Sequence, residues 1–180
     1  MSRFHVRLYR AAAYSLSRWI CWRGKVRPSR MCRAGRPVVP DIPASEKLYF
    51  RCMLDWISDT GQIKPANIHF PDQSVNRERF SKPRDVLLPD GSVRSRRWIL
   101  WGVAMIHVGD VPCEKKTSGG VTYSFTAEHD PLPKNYGHAE LRVYKDGQRE
   151  KDKNKINHQV KKAYRTDVAL RTKIVVQPIV

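Results

Sequence analysis

Two histidine–carboxylate pairs bracket one short loop, His129-Asp130 before it and His138-Ala139-Glu140 after it. The second pair has the H-x-E spacing with which zinc deaminases supply one metal ligand and a general acid/base. Those enzymes open a helix at that histidine and complete the metal shell with a downstream Pro-Cys-x-x-Cys. Here the comparable dipeptide, Pro112-Cys113, lies upstream and lacks a second cysteine, and Lys145-Asp146-Gly147 offers a turn where the helix would have to run. A looser metal site built from His129, Asp130, His138 and Glu140 would suit Zn or Mn. Such an ion activates water, which makes a metal-dependent hydrolase or nuclease the alternative functional reading. The simpler account needs no cofactor: Asp130 starts an Asx turn, the prolines of "DPLP" stiffen it, and Gly137 supplies conformational freedom.

The elements that must position these residues read as a strand. In residues 138–144, Ala139, Leu141 and Val143 alternate with His138, Glu140, Arg142 and Tyr144, so one face is apolar and the other polar. Residues 121–127 alternate similarly, with Val121, Tyr123, Phe125 and Ala127 on the apolar side. The run "RRWILWGVAMIHVGDVP" is rich in Trp, Ile and Val and predicts a buried strand over residues 98–108, bent at Gly102. "SEKLYFRCMLDWI" places Leu48, Phe50, Cys52, Leu54 and Trp56 at period two, favouring a strand over a helix capped by Ser45. Between them, "SDTGQIKPANIHF" reads as a turn and a short extended piece. "SVNRERFSKPRDVLLPDGS" reads as a polar stretch with a short helix near Pro83, closed by Pro89-Asp90-Gly91, and "CEKKTSGG" as a polar loop.

The stretch "HDPLPKNYGHAEL", preceded by "IPASEKLYFRCMLDWI" and "SVNRERF", resembles a group of short uncharacterised bacterial proteins that end in an Asp-Pro-x-Pro-x-Asn-x-x-His-Ala-Glu-like strand. The likeness spans residues 41–143 and departs from the group's short forms by adding a basic C-terminal segment. It implies a bacterial, cytosolic module and brings no activity with it. It leaves Asp130, Asn135, His138 and Glu140 as positions to test.

Charge is distributed unevenly. The chain of 180 residues carries a formal +17, yet residues 1–40 account for +10, residues 41–141 for none, and residues 142–180 for +7. A polyanionic partner would therefore meet the ends, because clustered Lys and Arg gain free energy by releasing counterions from phosphates. The first forty residues, a basic N-terminal extension rich in Arg, Trp, Cys and Ser, change abruptly at "VVPDIP". They read first as a leader ahead of Met31, next as a nucleic-acid arm, and third as a targeting or membrane-surface helix.

The C-terminal segment "DGQREKDKNKINHQVKKAYRTDVALRTKIVVQPIV" reads as a basic helix followed by a strand. Asp152 is the expected cap, and Ile156, Val160, Ala163 or Tyr164, and Val168 form the apolar stripe. Lys153, Lys155, Lys161, Lys162 and Arg165 would lie along phosphates, with Tyr164 or His158 stacking on a base. The competing account is a solvated helix whose lysines confer solubility. No helix-turn-helix, zinc-finger, RNP or GXXG pattern names a binding module, and no G-x-G-x-x-G, G-x-x-x-x-G-K-[ST] or G-x-S-x-G motif is present.

Four cysteines, separated by 11, 20 and 61 positions, match neither metal knuckles nor a disulfide framework, and no apolar run approaches the ~18 residues of a membrane span. A soluble cytoplasmic protein is expected. The sequence thus predicts an α+β domain over residues 41–144, a small antiparallel or mixed sheet of four or five strands with one or two helices, and a basic helix and strand over residues 145–180. The expected function is a non-catalytic accessory or adaptor module binding RNA or DNA backbone, with a larger protein partner in a protein-only adaptor reading.

Overall fold

The computed structural model describes residues 38–87, 100–116, 119–132 and 135–179. Most of the basic N-terminal extension, the Pro89-Asp90-Gly91 turn and the first residues of the predicted strand at 98–108 lie outside the described residues. Eight strands form one sheet: β1 (Lys47–Cys52), β2 (Gln73–Arg77), β3 (Gly102–His107), β4 (Glu114–Lys116), β5 (Thr122–His129), β6 (His138–Lys145), β7 (Gln148–Arg149) and β8 (Lys173–Val176). Every pairing is antiparallel, in the order β4-β5-β6-β2-β1-β3-β8, with β7 paired to β6. A single α-helix among the described residues, α1 (His158–Arg171), covers one face. The fold is α+β, as a run of strand patterns followed by a helix predicts.

The reason for the sheet is visible strand by strand. Leu48, Phe50 and Cys52 of β1, Val75 of β2, Ala104 and Ile106 of β3, Tyr123 and Phe125 of β5, and Ala139, Leu141 and Val143 of β6 all share the core beneath α1. The helix contributes Val160, Tyr164, Val168 and Ala169 to that core. These recur at i, i+4 and i+8, as a helix laid on a sheet requires. Burying each such side chain stabilises the fold by roughly 1.5–3 kcal/mol. The Tyr164 ring is stacked on Phe125 at 4.2 Å between centroids and tilted against Phe70 at 5.5 Å.

The opposite face divides in two. Over β1, β3 and β8 it is closed by a 3-10 helix, Pro83–Leu87, whose Val86 and Leu87 pack with Tyr49, Val103 and Met105. Over β5, β6 and β2 it is polar and carries the charged network described below. Gly102 begins β3 where a β-carbon would stand 2.5 Å from the Val176 carbonyl oxygen and 2.7 Å from the Pro178 ring. Only glycine permits that approach, so the bend expected there is a close crossing of β3 and the chain after β8. The β6–β7 turn has Asp146 at φ 49° and Gly147 at φ 79°, the two-residue geometry that matches strand twist.

Three expectations change. First, the sheet exceeds four or five strands because "QSVNR", which looks like polar loop, is an interior strand: β2 lies between β6 and β1, with Val75 and Arg77 inside. Second, residues 145–180 do not form a segment apart from a 41–144 core, since α1 completes that core and β8 pairs with β3. Third, the helix starts at His158 rather than after Asp152. Asn157 is its cap and accepts hydrogen bonds from Gln159 N and Val160 N. Asp152 instead accepts from Asn154 N in the preceding turn, leaving Lys153 and Lys155 off the helix and exposed.

Candidate functional site

The four candidate metal ligands are placed by β5, β6 and the end of β5, and they do not converge. His129 pairs in register with Ala139 and shares its face, while His138 and Glu140 project from the other. His129 is 5% exposed; its Nδ1 accepts from Val39 N at 2.9 Å and its Nε2 donates to the Tyr136 carbonyl at 2.8 Å. Both ring nitrogens are therefore occupied. Burial, reinforced by the nearby Arg77 cation, lowers the His129 pKa to about 4, against a weaker upward pull from the Tyr136 carbonyl. His138 is likewise engaged, Nδ1 with the Asp130 carbonyl at 2.7 Å and Nε2 with Ser74 Oγ at 3.3 Å. Among the described residues no three His, Cys, Asp or Glu side chains are grouped to hold a metal ion.

The carboxylates of that quartet belong to an arginine network. Arg142 bridges Glu128 at 2.6 Å, Asp130 at 2.5 Å and Glu140 at 2.8 Å. Arg149 reaches Glu140 at 3.2 Å and Asp72 at 3.1 Å. Tyr144 donates to Glu128. Burial alone would raise the Glu128 pKa; the Tyr144 hydroxyl and the Arg142 guanidinium outweigh it and hold the carboxyl below its ordinary value. Burial first, and then the Glu128 charge, raise the Tyr144 phenol. On this face Glu128, Asp130 and Glu140 are thus each matched by a guanidinium.

Sequence reasoning missed a second buried cluster. Arg77 is 0% exposed and forms a bidentate pair with Glu46, Nε to Oε1 at 3.0 Å and Nη2 to Oε2 at 2.7 Å. It also donates to the Val39 carbonyl at 2.7 Å and the Asp41 carbonyl at 3.0 Å, tying residues 39–41 to the sheet. Phe80 stacks on His129 at 5.2 Å and meets Tyr136 edge-on at 4.9 Å. The available signal was the alternation Val75-x-Arg77, which puts an arginine on an apolar strand face, where it must be paired.

The basic residues of α1 behave differently. Lys161, Lys162 and Arg165 lie on the flank beside the buried stripe, at i, i+1 and i+4, where the helix meets the 3-10 turn Pro65–Asn67. Helix and turn enclose an open pocket of about 300 Å³, with Pro65 and Ala66 on one side and Lys161, Lys162 and Arg165 on the other. His158 and Thr166 complete its lining. Among the described residues none of these three cations joins an ion pair, in contrast to Arg77, Arg142 and Arg149. Arg165 Nε is buried and has no hydrogen-bond partner among the described residues. Tyr164 is turned away from this flank and is 2% exposed, so it cannot stack on a base while the helix stays docked. The same burial raises its phenol pKa.

No protein-family model matches the chain, and no curated protein or solved structure is significantly similar to it. What the site can do rests on its own chemistry. A pocket with an apolar wall and three unneutralised cations is suited to an anion that also carries carbon surface. Among the described residues no helix is long and apolar enough to cross a membrane.

Proposed function

We propose that the protein is a non-catalytic accessory module that holds the phosphate backbone of RNA or DNA against the basic flank of α1, with the exposed Lys153 and Lys155 extending the contact. The single observation that supports this reading is the division of charge. Arg77, Arg142 and Arg149 of the sheet are matched to carboxylates, whereas Lys161, Lys162 and Arg165 are left unmatched around one concavity. Fixed cations without counter-charges bind polyanions by displacing condensed counterions, with no requirement for base readout.

A salt titration of binding to labelled single-stranded RNA, single-stranded DNA and duplex DNA tests the reading, with the full chain and the triple variant Lys161→Gln/Lys162→Gln/Arg165→Gln. Each lost phosphate contact lowers the log–log salt slope by about 0.7–0.9. The triple variant is therefore expected to bind more weakly, with a slope reduced by roughly 2–3. Equal affinity and slope for both proteins would overturn the proposal and direct attention to a protein partner.

A further inference from the structure

We infer that the pocket between α1 and the Pro65–Asn67 turn is a nucleotide subsite, taking one phosphate together with the nucleoside attached to it. The inference rests on the proposed backbone-binding reading and narrows it from a charged surface to one unit of ligand. Three observations carry it. The pocket is concave, and its volume of about 300 Å³ is at the lower end of the range for small-molecule sites. A flat cationic surface that merely follows a duplex has no need of such a recess. Its walls differ in chemistry: Pro65 and Ala66 present carbon surface with no charge, opposite Lys161, Lys162 and Arg165. A phosphate anchored on the helix side places its sugar or base toward that apolar wall. Finally, Arg165 lines the recess beside the two lysines, and the forked donors of a guanidinium match phosphate oxygens.

The subsite favours nucleotides that are not held in a duplex, because a paired and stacked base cannot turn into a recess beside its own phosphate. The same chemistry is offered by a free nucleoside monophosphate and by a nucleotide within a single strand. Thr166 and His158, at the two ends of the lining, add polar groups without adding a permanent charge.

The test uses the full chain, three ligands titrated across a range of salt (adenosine 5′-monophosphate, inorganic phosphate and a single-stranded oligonucleotide), and a duplex of the same length. Two variants accompany it. Ala66→Trp fills the recess and retains every cation, and because Ala66 is exposed the fold should survive, which a thermal melt checks. Arg165→Lys keeps the charge and removes the forked guanidinium. The expected result is a preference of at least about tenfold for single strand over duplex, and tighter binding of the monophosphate than of inorganic phosphate. Ala66→Trp should abolish the single-strand preference with the salt slope unchanged, and Arg165→Lys should weaken single-strand binding several-fold with the slope unchanged. Saturation by the free monophosphate at the affinity of the strand would identify the free nucleotide as the occupant; a much tighter strand would identify the nucleic acid. Wild-type single-strand affinity in Ala66→Trp, or equal binding of monophosphate and phosphate, would overturn the subsite while leaving the basic-flank proposal standing. That proposal fails separately, if the triple glutamine variant binds as wild type does.

Discussion

Acidification should unfold this protein partly through one histidine, and the size of the effect follows from its surroundings. His129 accepts a hydrogen bond from Val39 N and donates one to the Tyr136 carbonyl, so the folded state holds it neutral in one tautomer. Its pKa of about 4 compares with an ordinary value of 6.5 in the unfolded chain. The folded-state value is depressed, so the stabilising contribution is fully present above pH 6.5 and is lost as pH falls through 4. Across that window the unfolded chain takes up a proton that the native state refuses. The complete loss amounts to about 3 kcal/mol, of which roughly 1.4 is gone by pH 5.5. The perturbation is His129→Gln, which cannot titrate, and the assay is urea unfolding of both proteins at pH 7.0, 5.5 and 4.5. Carboxylates titrate in both and cancel in the difference. The variant should be the less stable at pH 7.0, and the gap should narrow by about 2–3 kcal/mol at pH 4.5. Parallel stability curves would show that His129 is not held neutral, and the account of its two hydrogen bonds would be wrong.

Two further outcomes are expected. Arg77→Met strands the buried Glu46 carboxylate and frees residues 39–41, so chemical denaturation should report a loss of about 3–5 kcal/mol, with partial recovery when Glu46→Gln is added. Tyr164→Ala should cost about 3–5 kcal/mol in the same assay, whereas Tyr164→Phe should change stability by about 1 kcal/mol or less and leave nucleic-acid affinity at the wild-type value.

The charged network on β5 and β6 explains why an H-x-E spacing was a misleading signal. Spacing in a strand fixes only which face a side chain takes, and it did so correctly for His138, Glu140, Arg142 and Tyr144. It says nothing of what stands opposite. The chemistry of Glu140 is set by Arg142 on its own strand and by Arg149 returning on β7, and that of Asp130 and Glu128 by the same Arg142. A carboxylate so matched holds the polar face of β5 and β6 together.

Period-two alternation by itself determined β5 and β6 and the face of each that is buried, because a strand has only two sides. Period two also pointed to β1, the apolar run determined most of the described length of β3, and charge counting located the unmatched cations at the C-terminal end. Tertiary structure alone decided the rest. "QSVNR" became an interior strand because its partners β6 and β1 are distant in sequence and because Arg77 found Glu46 and two backbone carbonyls inside, so a polar segment could be buried without loss. Tyr164 became core because it lies between Val160 and Val168 on the stripe that α1 rests on Phe125 and Phe70. The pocket could not be read from sequence at all: Pro65 and Ala66 lie nearly a hundred residues before Lys161, and only the packing of α1 against their turn brings an apolar wall to three unneutralised cations.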